Sequence, residues 1–300
     1  MKKKWRRKRI MLLLVVFVVL ILFTVWDNQR VVIVEQEIVL KDLPEEFDGF
    51  TIMQVTDLHE KEFGEKQNRL IEAIESIDYD MLAFTGDLLD DSRSLNYPVV
   101  YSLIEGLQQK ENAFYIPGNA DPTNYIRVGD RFEKNEFAQG LEKRGVQLLE
   151  GIQFIKRGDS SLFFTHFDES VFPADRVEAI NQLDDNETLI ALNHYPIVDI
   201  RMDHLANDRG IEMGKYDLLI AGHYHGGQLR LPFLGAFFVP EAWYERSGLF
   251  PPQDRVKGWW EYRGVQQYVS AGLGTSDAIS FLAFRLFNPP EINKIVLRRG

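Results

Sequence analysis

Five short motifs carry side chains able to hold metal ions: Asp57-Leu58-His59, Gly86-Asp87, Gly118-Asn119, Asn193-His194 and Gly222-His223-Tyr224-His225. Imidazole and carboxylate ligands together suit manganese, iron, zinc or cobalt. The one-residue spacing in Asp57-x-His59 and in His223-x-His225 returns both side chains to one face of an extended backbone. A central carboxylate can bridge two cations and offset their repulsion, and Asp87 is the natural bridge. Asn119 adds a neutral amide oxygen, which limits negative charge at the site. Four of the six histidines belong to this set. The chain has no cysteine, so thiolate nucleophiles, zinc fingers and iron–sulfur sites are excluded.

Each motif closes an apolar run that reads as a strand. Residues 51–56 end in Asp57, 81–85 in Gly86-Asp87, and 113–117 in Gly118-Asn119. Residues 188–193 end in His194, and 216–221 in Gly222-His223. Ligands of open α/β sheets bind outside the carboxyl ends of strands, so five consecutive ends can converge on one point. Apolar spacing predicts helices over 65–76, 97–107 and 131–144. Further strands are expected over 31–40, 152–156, 162–165, 228–231, 266–270, 281–286 and 294–297. The pattern predicts an α/β fold with helices packed on two sheets that lie face to face. Residues 231–262 hold nine aromatic side chains interrupted by proline and glycine, which is not a regular helix. Trp and Tyr favour membrane interfaces, so this stretch reads as a lipid-facing loop or as ordinary packing.

The ordered motif set resembles the calcineurin-like metallophosphoesterase superfamily over residues 50–297. Within it, GHYHGGQ at 222–228, SAGLG at 270–274 and FRLFNPPEI at 284–292 resemble the membrane-associated bacterial branch. That branch includes enzymes similar to the UDP-diacylglucosamine pyrophosphatases, which cleave a lipid-linked pyrophosphate. The resemblance implies a four-layer α/β/β/α sandwich and two divalent metal ions, manganese favoured over iron, zinc or cobalt. It implies that Asp57, His59, Asp87 and His225 hold the first ion. Asp87, Asn119, His194 and His223 would hold the second, and a metal-activated water would attack a phosphodiester or pyrophosphate.

One position departs from the family pattern. The third motif usually reads Gly-Asn-His-Asp, whereas here it is Gly118-Asn119-Ala120-Asp121. The missing histidine is the one assigned to protonating the leaving group or holding the phosphate. General acid catalysis is worth ~10²–10⁴-fold, so hydrolysis of poor leaving groups should suffer unless another group replaces it. His166 is the better substitute and His204 the other candidate. Asp87, Asn119, Asp121 and His166 are thus the residues expected to carry the chemistry. The alternative is a catalytically weak metal-binding surface protein that recognises a phosphorylated envelope component. Tyr224 stands where the family commonly has a smaller residue, and either narrows the pocket, stacks on a base or sugar, or packs.

Charge and hydropathy divide the chain. Residues 1–9 carry seven Lys/Arg, leaving −18 of the net −11 on residues 10–300. So acidic a body argues against general nucleic-acid binding, which needs a basic face. Residues 10–26 are 17 uncharged residues, enough for a transmembrane helix and long for the apolar core of a cleaved signal peptide. The basic tail at 1–9 should stay cytoplasmic. A single catalytic domain at 27–300 would then lie on the outer side of the cell membrane, with a phosphorylated, lipid-linked substrate within its reach.

Overall fold

Buried apolar runs of four or five residues, each stopped by glycine or a polar residue, produce the strands that carry the motifs. The computed structural model describes residues 2–167, 174–184, 186–240, 242, 244, 247–276 and 283–300. It opens with α1 (Lys2–Asp27), β1 (Val32–Leu40), β2 (Thr51–Val55), α2 (Asn68–Glu75) and β3 (Met81–Thr85). Then come α3 (Tyr97–Gly106), β4 (Ala113–Ile116), β5 (Tyr125–Val128), β6 (Arg131–Lys134), α4 (Glu136–Glu142) and β7 (Gln147–Leu148). The second half holds β8 (Ile152–Arg157), β9 (Ser160–His166), α5 (Ala174–Asn181), β10 (Leu189–Leu192), α6 (Asp199–Arg209) and β11 (Leu218–Ala221). It closes with β12 (Arg230–Leu231), β13 (Gly235–Ala236), β14 (Gly258–Tyr262), β15 (Val265–Val269) and β16 (Glu291–Arg299).

Two six-stranded sheets result, in the orders β1-β16-β2-β3-β4-β7 and β14-β15-β11-β10-β9-β8. The strands β2, β3 and β4 run parallel, as do β9, β10, β11 and β15. Their carboxyl ends therefore share one edge of each sheet. Ile52, Met81, Ala83 and Phe114 of the first sheet share one core with Phe164, Ile190, Leu218 and Ile220 of the second. The outer face of the first sheet packs on α2, α3 and α4 through Leu70, Ile74, Val100, Leu103 and Phe137. The outer face of the second packs on Ile180 of α5 and on Met202 and Leu205 of α6. This is the expected four-layer α/β/β/α arrangement, preceded by one apolar helix. Residues Lys4–Asp27 of that helix are long and apolar enough to cross a membrane.

Three expected elements differ. The helix over 131–144 starts only at Glu136. Residues 131–134 instead pair with Tyr125–Val128 in a hairpin that turns at Gly129, φ 62°. The Asn135 side chain then accepts from the Ala138 N–H at 2.6 Å, and such a cap fixes where a helix begins. The strand over 228–231 shortens to β12. The strand over 281–286 lies partly outside the described residues, and Leu286 forms an isolated bridge to Leu229.

One buried side chain joins the sheets at the edge where the motifs lie. Gln54 of β2 donates from Nε2 to the Ala221 carbonyl of β11 at 2.9 Å and to Thr85 Oγ1 of β3 at 2.8 Å. Both hydrogen bonds come from the one amide nitrogen, and they tie the edge of β11 to that of β3 through β2.

Candidate metal centre

The chain reverses sharply where the strands stop. Asp57, His59, Asp87, His223 and His225 all have left-handed backbone, with φ between 46° and 66°. Few non-glycine residues adopt this region, and those that do cluster at functional sites. The turn aims each side chain into the gap between the sheet edges. Close approach of neighbouring loops also demands glycine. A Cβ at Gly118 would lie 2.1 Å from Asp87 Oδ1, and one at Gly222 would lie 2.4 Å from Asp57 Oδ2.

Two clusters of ligand-type atoms form as a result. In one, Asp57, His59 and His225 bring an atom each within 4.8 Å of one another; in the other, Asp87, His194 and His223 do so. His225 Nε2 lies 3.8 Å from Asp57 Oδ1. His194 Nε2 lies 3.2 Å from Asp87 Oδ2, 3.1 Å from Asn119 Oδ1 and 3.1 Å from His223 Nδ1. Asp87 joins the two clusters. Its Oδ1 accepts the Ala120 N–H at 2.7 Å, while its Oδ2 faces both His194 and, at 3.5 Å, His59 Nε2. Every metal-type residue singled out in the sequence is thus brought together, with Asn119 at the exposed rim.

The electrostatics fit a pair of cations. Asp57 and Asp87 are almost completely buried. Among the described residues, no lysine or arginine hydrogen-bonds to either. Burying an uncompensated carboxylate costs several kcal/mol. For Asp57, burial raises the pKa to about 6 despite His194, with the Asp87 charge adding to the rise. For Asp87, burial acts upward, but His194 and His59 outweigh it and hold the carboxyl well below its usual range. Conversely, burial alone would lower His194, yet Asp87 raises its pKa to about 10. Burial, reinforced by His59 and Arg285, pushes His225 well below its usual value, so its imidazole is neutral with a lone pair to give. Its Nδ1 is buried without a hydrogen-bond partner among the described residues. A buried carboxylate raised by burial, Asp57, and a buried, unpartnered imidazole nitrogen, His225 Nδ1, are what a cation would satisfy.

Outer groups orient these ligands. His194 Nδ1 is 3.0 Å from the Thr85 carbonyl, which directs its other nitrogen to Asp87. His59 Nδ1 is 3.4 Å from Asp90. Asp57 Oδ2 accepts from Thr56 Oγ1 at 2.9 Å, and both Asp57 oxygens accept the His223 N–H. Asp121 is placed differently from the ligands. It is buried, and its carboxylate accepts from the N–H groups of Leu88, Leu89 and Gly118 at 3.0 Å each. Its task is to hold the loops after β3 and β4 in register, so it acts through Asp87 and Asn119.

Two cavities flank the clusters. One, about 490 Å³, is lined by Asn119, His166, His194, Tyr195, Arg201 and Arg209 among others. His166, at the end of β9, therefore shares a cavity with two of the ligands. His204 lines neither cavity, and its Nδ1 lies 2.7 Å from Asp208 on the exposed face of α6. Tyr195, Arg201 and Arg209 were not singled out from the sequence. The ring of Tyr195 lies 4.5 Å from that of His223, and the Arg201 guanidinium lies 5.6 Å from the Tyr195 ring. Buried Met202 and Leu205, with Gly210 just past the end of α6, were the signal that residues 199–209 form a helix carrying these arginines.

The other cavity, about 320 Å³, is lined by Tyr224, His225, Leu229, Phe237, Phe238 and Leu249 among others. Tyr224 is buried and narrows this side. The aromatic stretch thus divides: Phe237 and Phe238 line the apolar cavity, while Trp259 and Trp260 belong to β14. Trp243 lies outside the described residues.

The family model for calcineurin-like phosphoesterases matches residues 50–227. Two Bacillus subtilis (strain 168) proteins, each described as an uncharacterized metallophosphoesterase, are relatives. YkuE is 27% identical over 266 residues, covering 85% of this chain and 82% of its own. YkoQ is 22% identical over 244 residues, covering 80% and 81%. Among solved structures, the phosphopantetheinyl hydrolase of Mycobacterium tuberculosis matches with a TM-score of 0.42 at 12% identity, covering 76% of this chain and 91% of that one.

Proposed function

The chain belongs to the calcineurin-like phosphoesterase family, and from that premise we propose that it is a membrane-anchored hydrolase of a phosphodiester or pyrophosphate bond in a lipid-linked substrate. The observation that carries the reading is the position of Asp87, whose Oδ2 faces a histidine of each cluster. Asp57, His59, Asp87 and His225 would hold one divalent ion, and Asp87, Asn119, His194 and His223 a second. Two such ions supply Lewis acidity toward water and toward the phosphoryl oxygens.

The chain's own groups do the rest. The Ala120 N–H donates to Asp87 Oδ1, and Oδ2 faces His59 and His194. The Thr85 carbonyl fixes the ring of His194 and the Asp90 carboxylate lies beside His59 Nδ1, and such outer partners tune ligand basicity. Ala120 cannot move a proton. His166 stands in the same cavity as Asn119 and His194 and is the group we assign to protonating a leaving oxygen. The apolar cavity beside His225 and the apolar helix α1 support a substrate carrying hydrocarbon. The basic tail supports an orientation with residues 1–9 cytoplasmic and the hydrolase domain, residues 27–300, on the outer side.

The test is manganese-dependent hydrolysis of bis-p-nitrophenyl phosphate by the full chain in detergent, beside Asp87→Ala and Asn119→Ala. Activity in the parent that disappears in both variants is expected. An inactive parent that still binds two manganese ions would favour the metal-binding, catalytically weak alternative.

A further inference from the structure

Three exposed apolar side chains gather at one short hairpin. The β12–β13 hairpin pairs Arg230 with Ala236 and Leu231 with Gly235. Its tip carries Phe233 and Leu234, both strongly exposed, and Leu231 is exposed at its side. Phe233 has φ 66°, a conformation that turns usually give to glycine or asparagine. The hairpin is not a loose loop. Gln253 Oε1 accepts the Ala236 N–H, and its Nε2 donates to the Ala236 carbonyl at 3.1 Å. A rigid base holding out an apolar tip needs an apolar surface to meet.

The path from this hairpin to α1 is short and hydrogen-bonded. Arg230 N–H donates to the Leu286 carbonyl at 3.0 Å, and Leu286 N–H to the Gln228 carbonyl at 3.2 Å. The neighbouring Arg285 exchanges two hydrogen bonds with the Asn28 side chain, at 2.7 and 2.8 Å. Phe287 lies 5.6 Å from Phe23 of α1. Phe23 is within the apolar stretch of the helix, so Phe287 is at the depth of that stretch. Arg285 itself is fully buried and donates to the Gly274 and Ala271 carbonyls, which places the same segment against the Asp57 turn.

We propose that the β12–β13 hairpin is a second membrane contact, inserting Leu231, Phe233 and Leu234 into the bilayer that α1 crosses. It rests on α1 being the membrane anchor, as in the reading above. Segment 285–287 sets the hairpin beside the point where α1 leaves the bilayer. The apolar cavity beside His225 begins at Leu229, next to the hairpin base. The bilayer is thereby brought to the mouth of that cavity, and a lipid reaches the ligand clusters by lateral movement with its hydrocarbon remaining out of water.

The absence of cysteine from the sequence permits a test that does not depend on activity. Single variants Phe17→Cys in α1, Phe233→Cys and Leu234→Cys in the hairpin, and Phe154→Cys on the distant edge strand β8 are labelled with an environment-sensitive nitrobenzoxadiazole. All four residues replaced are exposed. The full chain is placed in phosphatidylcholine–phosphatidylglycerol nanodiscs with and without doxyl-labelled lipid. The labels at 17, 233 and 234 should lose most of their emission to the doxyl lipid, and the label at 154 should keep it. Quenching at 17 with a water-like, unquenched label at 233 and 234 overturns the hairpin contact while leaving the anchor. A blue-shifted but unquenched label there also overturns it, because a second copy of the chain then covers the tip. No quenching at 17 removes the anchor and the proposal together.

Discussion

The two flanks of the ligand clusters offer a substrate opposite surroundings. Beside Asn119 and His194 the cavity wall carries His166, Arg201 and Arg209. Beside His225 it carries Leu229, Phe237, Phe238 and Leu249. Each flank opens on a different cluster, Asn119 and His194 on one side and His225 on the other, and the difference goes beyond metal holding. It concerns which end of a substrate lies where. A phosphate placed between them would have a charged or proton-requiring side toward α6 and an apolar side toward the hairpin.

Several substitutions would break or sharpen this contrast. The largest effect belongs to the residue that faces both clusters. Asp87→Ala should lower turnover of bis-p-nitrophenyl phosphate by about 10³-fold or more, beyond the usual cost of one lost electrostatic group, because both clusters lose their shared carboxylate. Steady-state kinetics with manganese checks this.

Next is the polar flank. His166→Ala should slow a phosphodiester with an alkyl leaving group by about 10²-fold, the lower range of general acid catalysis. The loss should shrink on bis-p-nitrophenyl phosphate, whose leaving group departs without a proton. Adding Ala120→His to that variant should recover the alkyl substrate. Equal losses on both substrates would mean that His166 does not supply the proton.

A smaller change lies behind the clusters. Asp90→Ala removes the carboxylate beside His59 Nδ1 and should weaken manganese binding by about 10-fold, the low end for an outer partner. Titration followed by metal analysis reads it directly.

Changes of that same size, read in KM, separate the flanks themselves. Arg201→Gln should raise KM for a pyrophosphate by about tenfold, the scale of one charge-assisted hydrogen bond. Leu249→Asp should raise KM by about the same factor, the scale of one lost apolar contact, and more for a phosphodiester bearing acyl chains than for a soluble one. Interchanged responses would reverse the assignment of the flanks.

The sequence made the strand-end residues legible for a physical reason. β2, β3, β4, β10 and β11 are buried on both faces and read as largely apolar runs, Gln54 in β2 being the exception, so their ends are visible where glycine or a ligand-type residue follows. The central place of Asp87 among the ordered motifs marked it as the natural bridge, and its Oδ2 faces a histidine of each cluster. The left-handed backbone of Asp57, Asp87 and His225 was not legible, because nothing in a side chain announces a positive φ outside glycine. The helix misread over 131–144 shows a second limit: β6 carries alternating charges that fit a helix as well, and only pairing with β5 decides between them. Arg201 and Arg209 were hidden because α6 buries a narrow face, Met202 and Leu205, within a mostly polar segment. Asp121 looked like a chemical group from its motif, and two of its three backbone partners, Leu88 and Leu89, came from the loop after β3, far away in sequence.

The central claim is that Asp87 joins two ion sites into one centre. Electron paramagnetic resonance of the full chain, saturated with manganese in detergent and quantified by metal analysis, tests it most directly. The account predicts two manganese ions per chain with a spin-coupled spectrum, and loss of that coupling in Asp87→Ala. A single, uncoupled manganese ion at saturation in the parent would contradict it.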